Sequence, residues 1–226
     1  MFVAIEGIDG SGKGTTTRSL IAELEKSEHK VDSISFPRYG ETLYGKVVGR
    51  YLDGEFGTDT HPLLHGTLYA IDRFESKAYL EASIEFNDVV VCDRYIPSNL
   101  CYSAMKSDKE GREDVVKHFI ELEYGIFQMP VPDVIFFLDV PVKFAVQNIA
   151  KKAAREYTGK AADIHEADEL YLGEVRDFYA NQLMKFHPKT RFETIQCERN
   201  GHLIPLDKVL EKVYTRLLTM MKGDRT

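Results

Sequence analysis

Short apolar runs and longer stretches of helical periodicity alternate along this chain. Runs at 2–5, 31–36, 89–92, 134–138 and 192–195 have strand length and are bounded by polar or turn residues. After the first run, Leu20, Ile21 and Leu24 recur at helical spacing. Pro62 opens a helix predicted to reach about residue 84, with Leu64, Leu68 and Ile71 as its core stripe. Beyond Pro141, Phe144, Ala145 and Ile149 mark another helix, and 206–221 reads as an amphipathic closing helix. Strands alternating with helices require crossover connections. The prediction is therefore an α/β fold, with a parallel sheet covered on both faces.

The turn after the first strand carries the strongest chemical signal. It reads Glu6-Gly7-Ile8-Asp9-Gly10-Ser11-Gly12-Lys13, and a helix follows. Glycines let several backbone N–H groups face one anion, the helix N-terminus adds its positive end, and Lys13 adds a full charge. This is a phosphate-binding P-loop between the strand and helix such a loop needs. Gly7, Gly10, Ser11, Gly12, Lys13, Gly14 and Thr15 are the candidate ATP-binding residues. The hydroxyl residue expected directly after the lysine is replaced by Gly14, with Thr15, Thr16 and Thr17 behind it. Together with the strand pattern, the loop fits a three-layer P-loop kinase fold with five parallel strands, in which chemistry gathers beyond the strand C-termini.

Those strand ends hold the next candidates. Phe36-Pro37-Arg38-Tyr39 follows the second strand, where an arginine suits bidentate capture of a phosphate. Tyr69 and Arg73, four apart, share a helix face away from Leu68, an arrangement suited to stacking on a flat base. The third strand ends in Asp93-Arg94. Asp93 suits magnesium organisation, a role for which Asp139 competes because its strand has the same form. Ser98 is predicted to cap the next helix, on which Asn99 and Tyr102 share a face. Residues 151–160 form a basic, glycine-containing stretch that reads as a mobile flap over the phosphates. Asp163-Ile164-His165-Glu166 then opens a further helix with two carboxylates three apart.

Composition narrows the class. At 226 residues the chain is predicted to be a single domain, 1–226, with a lid near 151–165. A net charge of −7 argues against nucleic acid as a partner. No apolar run approaches membrane-spanning length, and Met1 leads straight into the first strand without a signal segment. Cys92, Cys101 and Cys197 show no metal spacing and read as reduced thiols in a cytosolic setting.

The Phe-Pro-Arg loop, the Asp-Arg-Tyr signature at 93–95, the Tyr69-to-Arg73 element and the acid-containing P-loop together resemble the thymidylate kinase family, over essentially the whole chain. That resemblance implies transfer of a phosphoryl group from ATP to dTMP, giving ADP and dTDP, with Mg2+ as cofactor, in a cytoplasmic homodimer. It assigns Lys13, Arg94 and Asp93 to catalysis; the basic flap itself offers a further catalytic charge, Arg155 by its planar fork or else Lys152. It assigns Arg38, Arg73 and Arg94 to the dTMP phosphate, Tyr69 to stacking on thymine, Asn99 to the base edge and Tyr102 to the deoxyribose. Phe36, Tyr39, Ser98, His165 and Asp9 also belong to the implied substrate site, and Asp9, Asp93 and Glu166 to the metal. Two departures stand out: Tyr69 replaces a frequent phenylalanine, and Gly10 replaces an arginine that some members carry. An arginine put back at Gly10 is therefore expected to share the flap's electrostatic role. The alternatives are another nucleoside or nucleotide kinase, or a P-loop switch NTPase. The switch reading expects an Asn-Lys-x-Asp motif, which this chain lacks.

Overall fold

The computed structural model describes residues 1–57, 60–156 (152–156 as backbone only), 169–187 and 190–223. Five strands form one parallel sheet in the order β2-β3-β1-β4-β5. They are β1 (Phe2–Glu6), β2 (Val31–Ser35), β3 (Val89–Asp93), β4 (Val134–Asp139) and β5 (Arg191–Gln196). All five residues of β1 and all six of β4 are buried. Full burial of one such apolar side chain is worth roughly 1.5–3 kcal/mol, so these central strands anchor the sheet. Each strand falls within two residues of an apolar run read from the sequence.

Helices α1 (Lys13–Lys26) and α9 (Leu206–Gly223) pack together. Helices α2 (Leu43–Leu52), α3 (Pro62–Glu75), α5 (Ile96–Met105) and α6 (Arg112–Ile120) form a connected group beside β3. Helix α7 (Val142–Glu156) follows β4, and α8 (Glu169–Asn181) packs on both α7 and α5. Among the described residues, no helix is long and apolar enough to cross a membrane.

The helix predicted from Pro62 to about residue 84 is in fact two. Ser76 separates α3 from α4 (Lys77–Phe86). Its hydroxyl donates to Asp72 O at 3.3 Å and accepts from Arg38 Nη1 at 3.1 Å, so the break serves the neighbouring loop. The predicted core stripe holds at Leu68, which is buried, and in part at Ile71, which is half-buried, but not at Leu64. Leu64 is 49% exposed, whereas His65, Gly66, Leu68, Ala70, Asp72 and Arg73 are buried. Helix α3 turns its polar residues inward because they line a site. Nor does Ser98 cap α5: it lies within the helix, and its hydroxyl donates to Glu6 Oε2 at 2.6 Å. All ten residues of α5 are buried, Asn99 and Tyr102 among them.

Candidate active site

The phosphate loop bends between β1 and α1. Gly12, the residue that caps α1, has φ 85°, and Gly10 has φ 75°. Gly10 is also hemmed in by α7. A Cβ there would lie 2.1 Å from Ala145 O, and Asn148 Nδ2 donates to Gly10 O at 2.9 Å. Any side chain at this position would displace the helix that leads toward the flap. The expectation that an arginine fits at Gly10 is therefore corrected. Gly14 differs: its φ is helical, and an added Cβ would meet only the side-chain ends of Asp93 (2.9 Å) and Arg18 (3.5 Å).

Lys13 is buried, and its Nζ donates to Gly7 O at 2.9 Å and Ile8 O at 2.8 Å, with Ser11 Oγ at 3.5 Å. Burial pushes its ammonium down from the usual 10.5 to about 8, and Arg94 adds to the effect, against the pull of Asp9, Asp93 and Glu6. Bound polyphosphate restores negative charge around Nζ and favours the ammonium. ATP binding at pH 8 is thus expected to take up about half a proton, visible as a calorimetric enthalpy that varies with the ionisation heat of the buffer, and ATP affinity should fall as pH rises beyond 8. A buffer-independent enthalpy at pH 8 would contradict this. By the same linkage, the unfolded chain holds the extra proton between about 8 and 10.5, so the ligand-free protein gains stability across that window.

Beside the loop, one cavity gathers Asp9, Phe36, Tyr39, Tyr69, Arg73, Arg94, Ser98, Asn99 and Tyr102, with Pro37, Leu52, His65 and Tyr95. At one end Arg94 stands just after β3 with φ 65°, a left-handed backbone that a non-glycine residue rarely adopts. Its guanidinium is paired with Asp9 Oδ1, donates to Ser98 Oγ at 3.3 Å and lies 5.6 Å from the Tyr102 ring centre. Tyr102 in turn donates to Asp9 Oδ2 at 2.8 Å. Beneath them Glu6 is buried and accepts from Tyr95 N, Ser98 Oγ and Tyr179 OH at 2.6–2.8 Å. Burial raises its pKa against those three donors.

At the other end Arg73, 2% exposed, holds Glu123 in a bidentate pair: Nε to Oε2 at 2.5 Å and Nη2 to Oε1 at 2.7 Å. Glu123 sits in a π-helical turn, Glu121–Ile126, directly after α6. Asn99 Nδ2 donates to Glu123 Oε1 at 2.8 Å and Gly66 O at 3.0 Å, and Ser103 Oγ donates to Asn99 Oδ1 at 3.1 Å. The Tyr69 ring packs 4.9 Å from that of His65.

Of the three arginines expected around one phosphate, Arg73 and Arg94 line the cavity and Arg38 does not. Arg73 is neutralised by Glu123. Arg38 turns out of the cavity to Glu41 and Ser76, over the Tyr79 ring, and its backbone N–H donates to Asp72 Oδ2 at 3.0 Å. It lines a neighbouring cleft with Gly14, Thr17, Arg18 and Asp93. Asp93 and Asp139, the two acids in competition for the metal, are placed differently. Asp139 accepts from Arg176 Nε at 2.7 Å and Gln196 Nε2 at 2.9 Å, away from both clefts, while Asp93 faces the start of α1. Thr15 is exposed and accepts a weak contact from Arg18 at 3.4 Å. The side chains of Lys152 and Arg155, and the whole of His165 and Glu166, lie outside the described residues, as does most of the expected lid at 151–165. Glu123, Ser103, His65 and Asp72 were not found from the sequence: Glu123 and His65 lie in no motif, and Asp72 and Ser103 stand beside Arg73 and Tyr102 without a signal of their own.

A central strand feeding a glycine-rich loop and helix, in a parallel sheet ordered β2-β3-β1-β4-β5, with a cavity over the adjoining strand end, defines a P-loop kinase. Within that class, residues 5–198 match the family model described as "Thymidylate kinase", and the chain belongs to that family. It is 30% identical over 169 residues to the thymidylate kinase of Mycobacterium tuberculosis (strain CDC 1551 / Oshkosh), covering 74% of this chain and 78% of that one. It is 28% identical over 182 residues to that of Coprothermobacter proteolyticus (79% and 83%). To the Plasmodium falciparum protein it is 30% identical over 145 residues (64% and 63%).

Proposed function

We propose that dTMP lies in the cavity with its base toward Asn99 and Arg73, its sugar beside Tyr102 and Asp9, and its phosphate near Arg94. The chain is a dTMP kinase, forming dTDP and ADP from dTMP and ATP. The observation that supports this placement of the base is a count of hydrogen-bonding capacity. Arg73 offers only N–H donors. Asn99 already donates both amide hydrogens, to Gly66 and Glu123, so it has only an Oδ1 lone pair to give a ligand. A donor beside an acceptor complements the C4 carbonyl and N3–H of thymine. Cytosine presents the opposite pair and leaves buried groups unsatisfied.

In the reaction a phosphate oxygen of dTMP attacks the γ-phosphorus of ATP as the bond to the β-bridging oxygen breaks. The transition state is loose and highly charged, so positioning and neutralisation do the work. Lys13 exchanges loop carbonyls for the phosphates of ATP, and Arg94 steadies the transferred group while Asp9 and Tyr102 orient its guanidinium. Tyr69 stacks on the base, while Phe36, Tyr39 and Ser98 close the remaining walls.

Kinase chemistry of this kind uses a divalent metal, and the residues present suit Mg2+. Asp93 faces α1 with oxygen ligands only, and the Thr16 and Thr17 hydroxyls are buried without a partner. Such a set, completed by nucleotide phosphates, matches a small hard cation. Among the described residues, no three His, Cys, Asp or Glu side chains gather into a self-sufficient site. When bound, the ion would neutralise phosphate charge. Asp9 and Glu166 are further proposed ligands from the family resemblance, and His165 a further substrate contact. Arg155 or Lys152 is proposed to close over the phosphates. Asn148 touches the phosphate loop, and Arg155 lies seven residues further along the same face of α7. A cytoplasmic homodimer completes the proposal, in keeping with three free buried cysteines and exposed Phe74 and Ile126.

A coupled ADP-release assay across nucleoside monophosphates tests the reading. Turnover is expected with dTMP and, through its identical edge, with dUMP. It should be at least about 100-fold lower in kcat/KM with dCMP, and near background with ATP alone. Equal use of dTMP and dCMP would overturn the base assignment.

A further inference from the structure

An asparagine amide is ambivalent. Rotated by half a turn it exchanges donor for acceptor, and the same cavity would then suit cytosine. We propose that Ser103 and Glu123 are positioning residues for base specificity, holding the Asn99 amide in the single orientation that offers the ligand an acceptor. The inference deepens the dTMP reading and rests on it.

Two locks act on the amide. On its nitrogen side stand Glu123 Oε1 at 2.8 Å and Gly66 O at 3.0 Å. Both are acceptors, so a flipped amide would set its carbonyl oxygen against a carboxylate and a backbone carbonyl. On its oxygen side the Ser103 hydroxyl donates to Oδ1 at 3.1 Å. Ser103 has one proton, and it is committed to Asn99. Its contact with His65 Nδ1 at 3.1 Å therefore requires Ser103 to accept and His65 to carry its proton on Nδ1. The polar chain from His65 through Ser103, Asn99 and Glu123 to Arg73 is thus directional, and every member is buried. A satisfied buried network of this kind resists reorientation: a flip would set Asn99 Oδ1 against Glu123 and Gly66 in a low-dielectric setting, and would force the Ser103 proton over to His65 Nδ1 and change the His65 tautomer. Glu123 has a second part in the lock: it also holds Arg73, so the donor and the acceptor offered to the base are set by one carboxylate.

The test is the ratio of kcat/KM for dTMP to that for dCMP, with kcat and KM for dTMP recorded separately. Ser103→Ala is expected to lower the ratio about tenfold, chiefly through KM for dTMP, with kcat within about twofold and dUMP falling in parallel with dTMP. Glu123→Gln, which can offer Asn99 either end of a second amide, is expected to lower it about 100-fold. Its folding is checked by thermal melting, because it leaves Arg73 without a counter-charge. If that variant does not fold, Ser103→Ala decides alone. An unchanged ratio in Ser103→Ala, or equal losses on dTMP and dCMP, would overturn the proposal and leave these residues a purely structural role. A wild-type enzyme without preference for dTMP would instead overturn the base assignment, and that is visible before any variant is made.

Discussion

Replacing Arg94 by alanine is expected to lower turnover with dTMP about 10³-fold, the scale on which an arginine at a phosphoryl-transfer site acts. Arg94 leaves the end of β3 at a left-handed φ of 65° and meets Asp9, Ser98 and the Tyr102 ring, all between the phosphate loop and the cavity. All three arginines have a carboxylate partner, but Arg73 is held bidentately by buried Glu123 and Arg38 lies outside the cavity. Arg94, paired with Asp9, lines the cavity beside the phosphate loop and is the one proposed for the dTMP phosphate. Arg94→Gly is the informative companion. The left-handed backbone costs a non-glycine residue about 1–2 kcal/mol. The glycine variant should therefore melt no lower than the alanine variant, yet be as inactive. Arg94→Lys keeps the charge but loses the fork that Asp9 and Ser98 orient, and should recover only part of the loss. Near-normal turnover in both truncations would remove Arg94 from catalysis, and a shared fall in melting temperature would move its role to folding.

The same contrast shows what this sequence discloses. Strands buried on both faces read as unbroken apolar runs, so β1, β3 and β4 were legible directly. The phosphate loop was legible because its glycines and lysine must be consecutive. Arg73 was recognisable as unusual, since it stands off the apolar stripe of α3, but its role was not. Its partner Glu123 lies 50 residues away in a π-helical turn without pattern, and that pairing is the ground for proposing Arg73 at the base rather than at the phosphate. Asp93 and Asp139 end apolar runs of the same form; in the sequence Arg94 beside Asp93 sets them apart, and in the structure the approach of Arg176 and Gln196 to Asp139 does. Leu64 was misplaced for a related reason. Helix α3 buries His65, Asp72 and Arg73 as well as Leu68 and Ala70, so its apolar positions alone do not mark its buried face.

Gly10 and Gly14 are indistinguishable as departures in sequence but opposite in structure, and that difference sharpens a test of the flap. Arg155→Ala is expected to lower turnover on the order of 10³-fold with dTMP binding little changed, as for an arginine acting only in the transition state. Lys152→Ala is made beside it, since either residue can take the role. An arginine at Gly10 cannot compensate, because its Cβ would fall 2.1 Å from the Ala145 carbonyl and push α7 off the loop. Gly10→Arg should therefore abolish ATP binding outright. An arginine at Gly14 meets only side-chain ends, on a helical backbone where glycine itself costs roughly 0.5–1 kcal/mol. Its guanidinium enters the cleft of Asp93 and Arg18, beside the start of α1. In the Arg155→Ala background, Gly14→Arg is expected to recover at least about tenfold in turnover and to leave the melting temperature unchanged or higher. No recovery in a folded, ATP-binding double variant would mean that positive charge on this side of the loop does not reach the transferred group. Near-normal turnover in both flap variants would leave Lys13 and Arg94 to neutralise it without the flap.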